Sequence, residues 1–567
     1  MTTASVSSHV AADAASGAAA VTPHGAPTHR GERRPTGPLT GLGPLVRLYG
    51  HLARRGILIW SLAVLVLVPA SIVAMEDVYP DQAALDARAT LLDNPSAVMM
   101  TGPHFAAPHY TFWAMVANEL LLYLIVPAAI MAILLTARLT RGEEEAGRLE
   151  LLRSLPTGRL APALAALLVV ALANLALGLA VSAGLLIGGG AVPDSLVLGL
   201  ATALTGMVFG ALTAVLAQLS EHAGTVSGAA LGVLALAFLV RGVGDVIDRG
   251  GSWLSWFSPL AWAQQTRGFV DLRWWPLLAS AGAVVVLLLL AGVLSHRRDL
   301  GAGLRPASPG RTTASRALMA PGGLARRLLS GTQIAWAIGL FLFAVAFGSL
   351  ASSLTDFAEN LPDLTGMAPI RLDDLTGSFS AFVLMMLAIG PVTLAVSGVL
   401  RIRTEETSGR LAGLLVAGTS RTRLTVQWVL MVLLGTMAMQ VLLGLGVGIG
   451  VWTATEDASW IGDMTLAALA YLPAIAFYAA IALVLYGLGV RLAGLAWLLV
   501  GYTALVTFLG QMLGLPDWAM DLSPLQHVSL VPSEDLETTP LVVMGVAAVV
   551  LGVLGLLALR RRDLAAG

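Results

Sequence analysis

About twelve stretches of this chain are apolar and close to twenty residues long, which is the length of helix that crosses a hydrocarbon core roughly 30 Å thick. They lie near 57–75, 112–136, 163–190, 195–219, 224–241 and 276–295, and again near 334–354, 379–400, 424–451, 464–489, 492–514 and 541–559. Nothing else constrains the fold as much. In lipid every backbone N–H and C=O must be bonded within its own segment, so these stretches predict an all-α polytopic membrane protein. With 57% of 567 residues hydrophobic and 12% charged, no soluble domain of this length would stay dissolved.

The placement of charge sets the orientation. Positive loops stay in the cytoplasm. With the N-terminus inside, the inner loops hold 27 of the 33 basic residues and the outer loops six. All 33 are arginine. Without lysine no GxxxxGK[ST] nucleotide loop can exist, so any ATP that drives this protein is bound by another chain. Without cysteine, disulfides and thiolate chemistry are excluded. No HExxH motif, nucleophile triad or metal-ligand spacing appears, and nothing points to nucleic acid, so the chain is not expected to be an enzyme.

The sequence divides into a disordered tail (1–40), a first six-helix half (41–300), a cytoplasmic linker (301–330) and a second six-helix half (331–567). The halves repeat each other. Arg141, Glu143, Glu144, Gly147, Arg148 and Arg159 recur, 262 residues on, as Arg403, Glu405, Glu406, Gly409, Arg410 and Arg421 (410 − 148 = 262). Ser258-Pro259-Leu260 recurs as Ser523-Pro524-Leu525, and Arg297-Arg298-Asp299-Leu300 as Arg561-Arg562-Asp563-Leu564. Six spans per half in the same orientation make a parallel repeat about an axis along the membrane normal.

The duplicated charged motif follows the second span of each half. The acidic triplet Glu143, Glu144 and Glu145 is expected to open a short surface helix over 142–155, where carboxylates favour the positive end of the helix dipole. Glu144 precedes Arg148 by four, and Glu406 precedes Arg410 identically, which predicts two intrahelical ion pairs. Leu149, Leu152 and Leu155 form an apolar ridge suited to a partner's groove, beside Glu150. In the second copy Ala412 and Gly413 replace Glu150 and Leu151, which weakens helix and ridge alike.

These residues resemble a family. The EExxGRxELL pattern from Glu143 to Leu152, with the twelve-span layout, is similar to the double-length permease subunit of ATP-binding-cassette exporters of the polyketide-antibiotic (tetronasin-type) multidrug group. The resemblance implies a bacterial plasma-membrane subunit with both termini cytoplasmic, and coupling helices carrying Glu143, Glu144, Arg148, Glu150, Leu152, Glu405, Glu406 and Arg410. It also implies interfacial elbow helices at 42–55 and about 324–331, and short external elements at 245–275 and 516–532. Two copies of a separate ATPase subunit would bind ATP and Mg2+, and this chain would hold no cofactor itself.

Ionisable groups inside spans are costly and therefore candidates for function. Asn118 and Glu119, in the second span, are candidates for a substrate path that attracts cationic drugs. Asn174 and Gln440 read as interhelical hydrogen bonders, and Gly224, Gly228 and Gly232 as a stripe admitting a close helix. The glycines over 444–450 sit within an apolar span and form no nucleotide fingerprint. The first functional reading is the membrane subunit of an ATP-driven exporter of hydrophobic or amphipathic compounds. The alternatives are an ion-coupled secondary transporter with two six-span halves and a non-transporting membrane scaffold or immunity factor.

Overall fold

The computed structural model describes residues 37–563 apart from 93–94, 104, 107–108, 249, 299–302, 305–311, 316–317, 319, 352–373, 417 and 510–514. Most of the expected tail and much of the expected linker lie outside the described residues. The first half contains α1 (Leu42–Val78), α2 (Gln82–Leu92), α3 (Pro95–Thr101), α4 (Phe112–Glu145), α5 (Arg148–Ser154), α6 (Ala161–Ile187), α7 (Val192–Leu219), α8 (Ala223–Ile247), α9 (Pro259–Gln264) and α10 (Pro276–His296). The second contains α11 (Pro321–Gly348), α12 (Leu375–Thr407), α13 (Arg410–Val416), α14 (Arg421–Thr455), α15 (Ser459–Leu469), α16 (Leu472–Leu488), α17 (Ala496–Leu509), α18 (Asp517–Met520) and α19 (Thr538–Arg561).

Among the described residues eleven helices are long and apolar enough to cross a membrane, α15 and α16 together counting as one, and no strand occurs. The chain is an all-α polytopic membrane protein. The expected span near 492–514 is described as an apolar helix over Leu492–Phe508, its last five expected residues, 510–514, lying outside the described residues. Pro473, which has no N–H to donate, lies at the start of α16, just after the break that separates it from α15.

The repeat recurs as a repeated set of neighbours. In the first half α6 packs on α1 and α7, and α7 packs on α4 and α10. In the second, α14 packs on α11 and α15, and α16 on α12 and α19. Close helix approach in the second half comes from the 444–450 glycines. Gly446 and Gly450 face α11, while Gly444 and Gly448 face α15, so one segment admits two helices on opposite sides.

Several expectations need correction. No separate elbow helix precedes either half, because 42–55 is continuous with α1 and 324–331 with α11. The junctions are polar, Arg54-Arg55-Gly56 and Ser330-Gly331-Thr332, but neither contains a proline, and the helix continues through each glycine. The Gly224, Gly228 and Gly232 stripe faces open space, with no atom within 4 Å of where a Cβ would stand. Gln440 does bond across helices, its Nε2 donating to Ala468 O at 2.9 Å, whereas Asn174 donates to Val170 O of its own helix.

Candidate functional site

The duplicated motif folds differently from the expected surface helix. The acidic triplet ends α4 and opens nothing: α4 runs through a π turn at Arg138–Gly142 and stops at Glu145. Gly147 then takes a left-handed conformation (φ 69°), its N–H bonding Glu144 O at 3.0 Å, and α5 begins afresh at Arg148. Gly409 repeats the turn (φ 74°) between α12 and α13, its N–H bonding Glu406 O at 3.0 Å. A Cβ at either position would be strained, which explains a glycine in both copies.

This turn re-pairs the charges. Arg148 bonds Glu143 through two contacts of 2.7 Å, and Arg410 bonds Glu405 at 2.7 and 3.1 Å, so the partners stand five residues apart in place of the expected four. The spacing of four fails because no helix continues across Gly147 or Gly409. Each guanidinium is held above its ordinary pKa, first by the hydrogen bonds to its carboxylate and then by that carboxylate's charge.

The second glutamate of each copy reaches the end of the sixth span. Glu144 receives Arg298 through a fork of 2.7 and 3.0 Å, and Glu406 receives Arg562 at 2.7 Å. The acidic repeat and the arginine repeat, about 155 residues apart in each half, are therefore two parts of one ion pair (298 − 144 = 154; 562 − 406 = 156). Arg298 also donates to Gln218 of α7. Arg141, fully buried, bonds Glu144 and donates to Ala217 O, satisfying a carbonyl in the last turn of α7. In the second half Tyr486 of α16 does related work, donating its hydroxyl to Glu406 at 2.5 Å while Arg562 lies over its ring.

The third position separates the copies. Glu145 accepts from Ala223 N at 3.1 Å and contacts His222 at 2.9 Å, capping the start of α8. Its counterpart Thr407 bonds only backward to its own helix, at Arg403 O and Thr404 O. Three consecutive carboxylates thus tie α4 to α5, α10 and α8, whereas Glu405 and Glu406 of the second copy tie α12 to its short helix and to α16 and α19. The loop after α5 is further joined to the chain before α1, through Gly158 N to Thr40 O and Leu160 N to Pro38 O.

The outward faces of the two short helices also differ from expectation. Leu149 is buried and Leu152 packs inward beside it, so the surface is made by Glu150, Leu151 and Leu155, with Leu151 71% exposed. The second helix keeps the same seven residues despite Gly413, and exposes Ala412, Gly413 and Val416 (89%).

At the opposite end of the bundle Glu119 pairs with Arg88 of α2 at 2.7 Å, and Asn118 donates to Gly102 O and Pro103 O. These residues hold the 82–103 segment against α4. The adjoining cavity, lined by Asn118, is about 30 Å3, room for a single water. A buried pair absent from the sequence motifs, Arg241 and Asp245, anchors the same segment through Val98 O and Met99 O and reaches Ser255. Its signal was visible as an arginine and an aspartate one turn apart at the end of an apolar span.

Most of the chain is similar to the multidrug efflux system permease protein Rv1217c of Mycobacterium tuberculosis (strain ATCC 25618 / H37Rv), which is 35% identical over 546 residues, 94% of this chain and 97% of that protein. The chain belongs to the multidrug efflux system permeases. A family model described as the C-terminal domain of multidrug efflux system permease Rv1217c matches residues 318–560 of the permease, from the start of α11 almost to the end of α19. The match therefore takes in the second copy of the charged motif and its Glu406.

Proposed function

We propose that the permease is the membrane-spanning subunit of an ATP-driven exporter of hydrophobic or amphipathic drugs, of the tetronasin-type group. Two separate ATPase subunits bind ATP and Mg2+ and press on α5 and α13 from the cytoplasm. The bundle end that carries the arginines faces the cytoplasm of a bacterial cell, with both termini and the 301–330 linker on that side. The observation that carries this reading is the duplicated junction of Glu144 with Arg298 and Glu406 with Arg562. A short helix with an exposed outer face, fixed through charge to the ends of several spans, can convert a push on its surface into movement of those spans. Each half has one, as a pair of motor subunits requires.

The copies are not equal in this account. The first has the third carboxylate, the tie to α8 and the leucine-bearing face, and so carries the larger share of coupling. The test is drug-stimulated ATP hydrolysis by the reconstituted complex carrying Glu144→Ala or Glu406→Ala. A greater loss from Glu144→Ala supports the inequality, and equal losses contradict it. Failure of the permease to bind any ATPase overturns the exporter reading itself.

A further inference from the structure

A groove of about 520 Å3 runs between α11 and α12 and is flanked by Trp497 of α17. On α12, Leu394, Ser397, Arg401 and Thr404 recur at intervals of three and four, so one helix face leads from the apolar interior to the arginine-rich end. Arg401 and Arg403 both line the groove, and no carboxylate does. Among the described residues neither arginine makes an ion pair, and both are half-buried.

The first half shows how the same positions are managed without a ligand. Leu139 and Arg141 stand where Arg401 and Arg403 do (401 − 139 = 262; 403 − 141 = 262). Leu139 is buried in apolar contacts with α1 and α6, and Arg141 is neutralised by Glu144. A cavity that Leu139 and Arg141 line there also contains Glu143 and Glu144. In the second half Glu406 is taken by Arg562 and Tyr486, and a leucine has become a second arginine. Two positive charges are left partly desolvated against an apolar wall, an arrangement that is unfavourable until an anion joins them.

We propose that this groove binds the headgroup of an anionic phospholipid of the surrounding leaflet. Arg401 and Arg403 hold the phosphate, with Thr404 beside them, and the acyl chain lies along Leu400 and Leu394. Trp497 sits at the headgroup level, where indole rings favour the interface. The occupant is a lipid because the groove continues from the arginines for about 13 Å of helix, at 1.5 Å per residue, past Leu400 and Trp497 to Leu394, apolar side chains set among Ser397, Thr332 and Gln333 that free phosphate would leave uncovered. This inference needs the arginine-rich end to lie at a membrane surface and is independent of any ATPase, so the permease alone tests it.

Native mass spectrometry of the permease, incubated with phosphatidylglycerol or phosphatidylethanolamine in mild detergent, reads the bound lipid. R401Q/R403Q should lower phosphatidylglycerol retention about thirtyfold, given the worth of two arginines at an anionic surface, and leave phosphatidylethanolamine unchanged. R54Q/R55Q, which removes two exposed arginines of α1, should change neither. Should the double variant fail to fold, Arg401→Leu restores the residue of the first half and should lower retention on its own. Undiminished retention in these variants overturns the proposal, as does an equal loss in R54Q/R55Q, which would assign binding to net charge. Displacement of the lipid by millimolar inorganic phosphate would make the site one for free anions and also overturns it.

Discussion

Replacing Glu144 by Gln removes the charge on which Arg141 and Arg298 converge. The Arg298 and Glu144 side chains are 12% and 11% exposed, so the pair sits far nearer the buried limit than the exposed one. An exposed pair contributes about 0–1 kcal/mol, whereas removing one member of a buried pair costs about 3–5 kcal/mol because the other charge is stranded. Arg298 would keep its bond to Gln218, and Arg141 its bond to Ala217 O, which places Glu144→Gln near the lower end, at about 3 kcal/mol. Arg298→Gln should cost somewhat less, since Glu144 keeps Arg141. The double variant should cost less than the sum, leaving a coupling energy of about 1–2 kcal/mol. The assay is SDS-driven unfolding in mixed micelles, followed by tryptophan fluorescence. Additive losses, with coupling below about 0.3 kcal/mol, would show that the ends of α4 and α10 are not joined as described.

Two further predictions concern packing and the opposite end of the bundle. Gly448→Ala places a Cβ 2.6 Å from Ile461 Cα and 2.7 Å from Trp460 O, both backbone atoms, so it should destabilise the permease by about 1–3 kcal/mol. Gly228→Ala meets nothing within 4 Å and should leave stability unchanged or slightly raised in the same unfolding assay. Glu119→Gln breaks the pair with Arg88 and should release the 82–103 segment, read as faster limited proteolysis there, while drug export continues. If export is abolished but the segment stays protected, Glu119 belongs to the substrate path and not to the anchor.

What the sequence made legible follows from which physical signals are local. Spans are visible because length and hydropathy alone decide whether a helix can cross lipid, and the repeat is visible because Gly147 and Gly409 must both reverse the chain. Pairing was misread because a spacing of four predicts contact only if the helix continues, and a single glycine φ decides that. The junction between Glu144 and Arg298 is a contact across about 150 residues. Both of its signatures were plain in the sequence, but joining them requires knowing that the end of the sixth span comes within side-chain reach of the end of the second. The arginine majority on one side implied a shared end without naming partners. The 444–450 glycines illustrate the same limit, since their spacing shows close packing and not which helices approach.

In the proposed exporter a separate ATPase moves the spans by pressing on α5 and α13. The permease has no cysteine, so a single introduced thiol can be cross-linked without background. Leu151→Cys and Val416→Cys place thiols on the most exposed apolar positions of the two short helices. Each should cross-link to the ATPase subunit in the reconstituted complex, and the link should abolish drug-stimulated hydrolysis. Cross-linking no greater than that of Leu278→Cys, exposed at the opposite end of the bundle, would contradict the account.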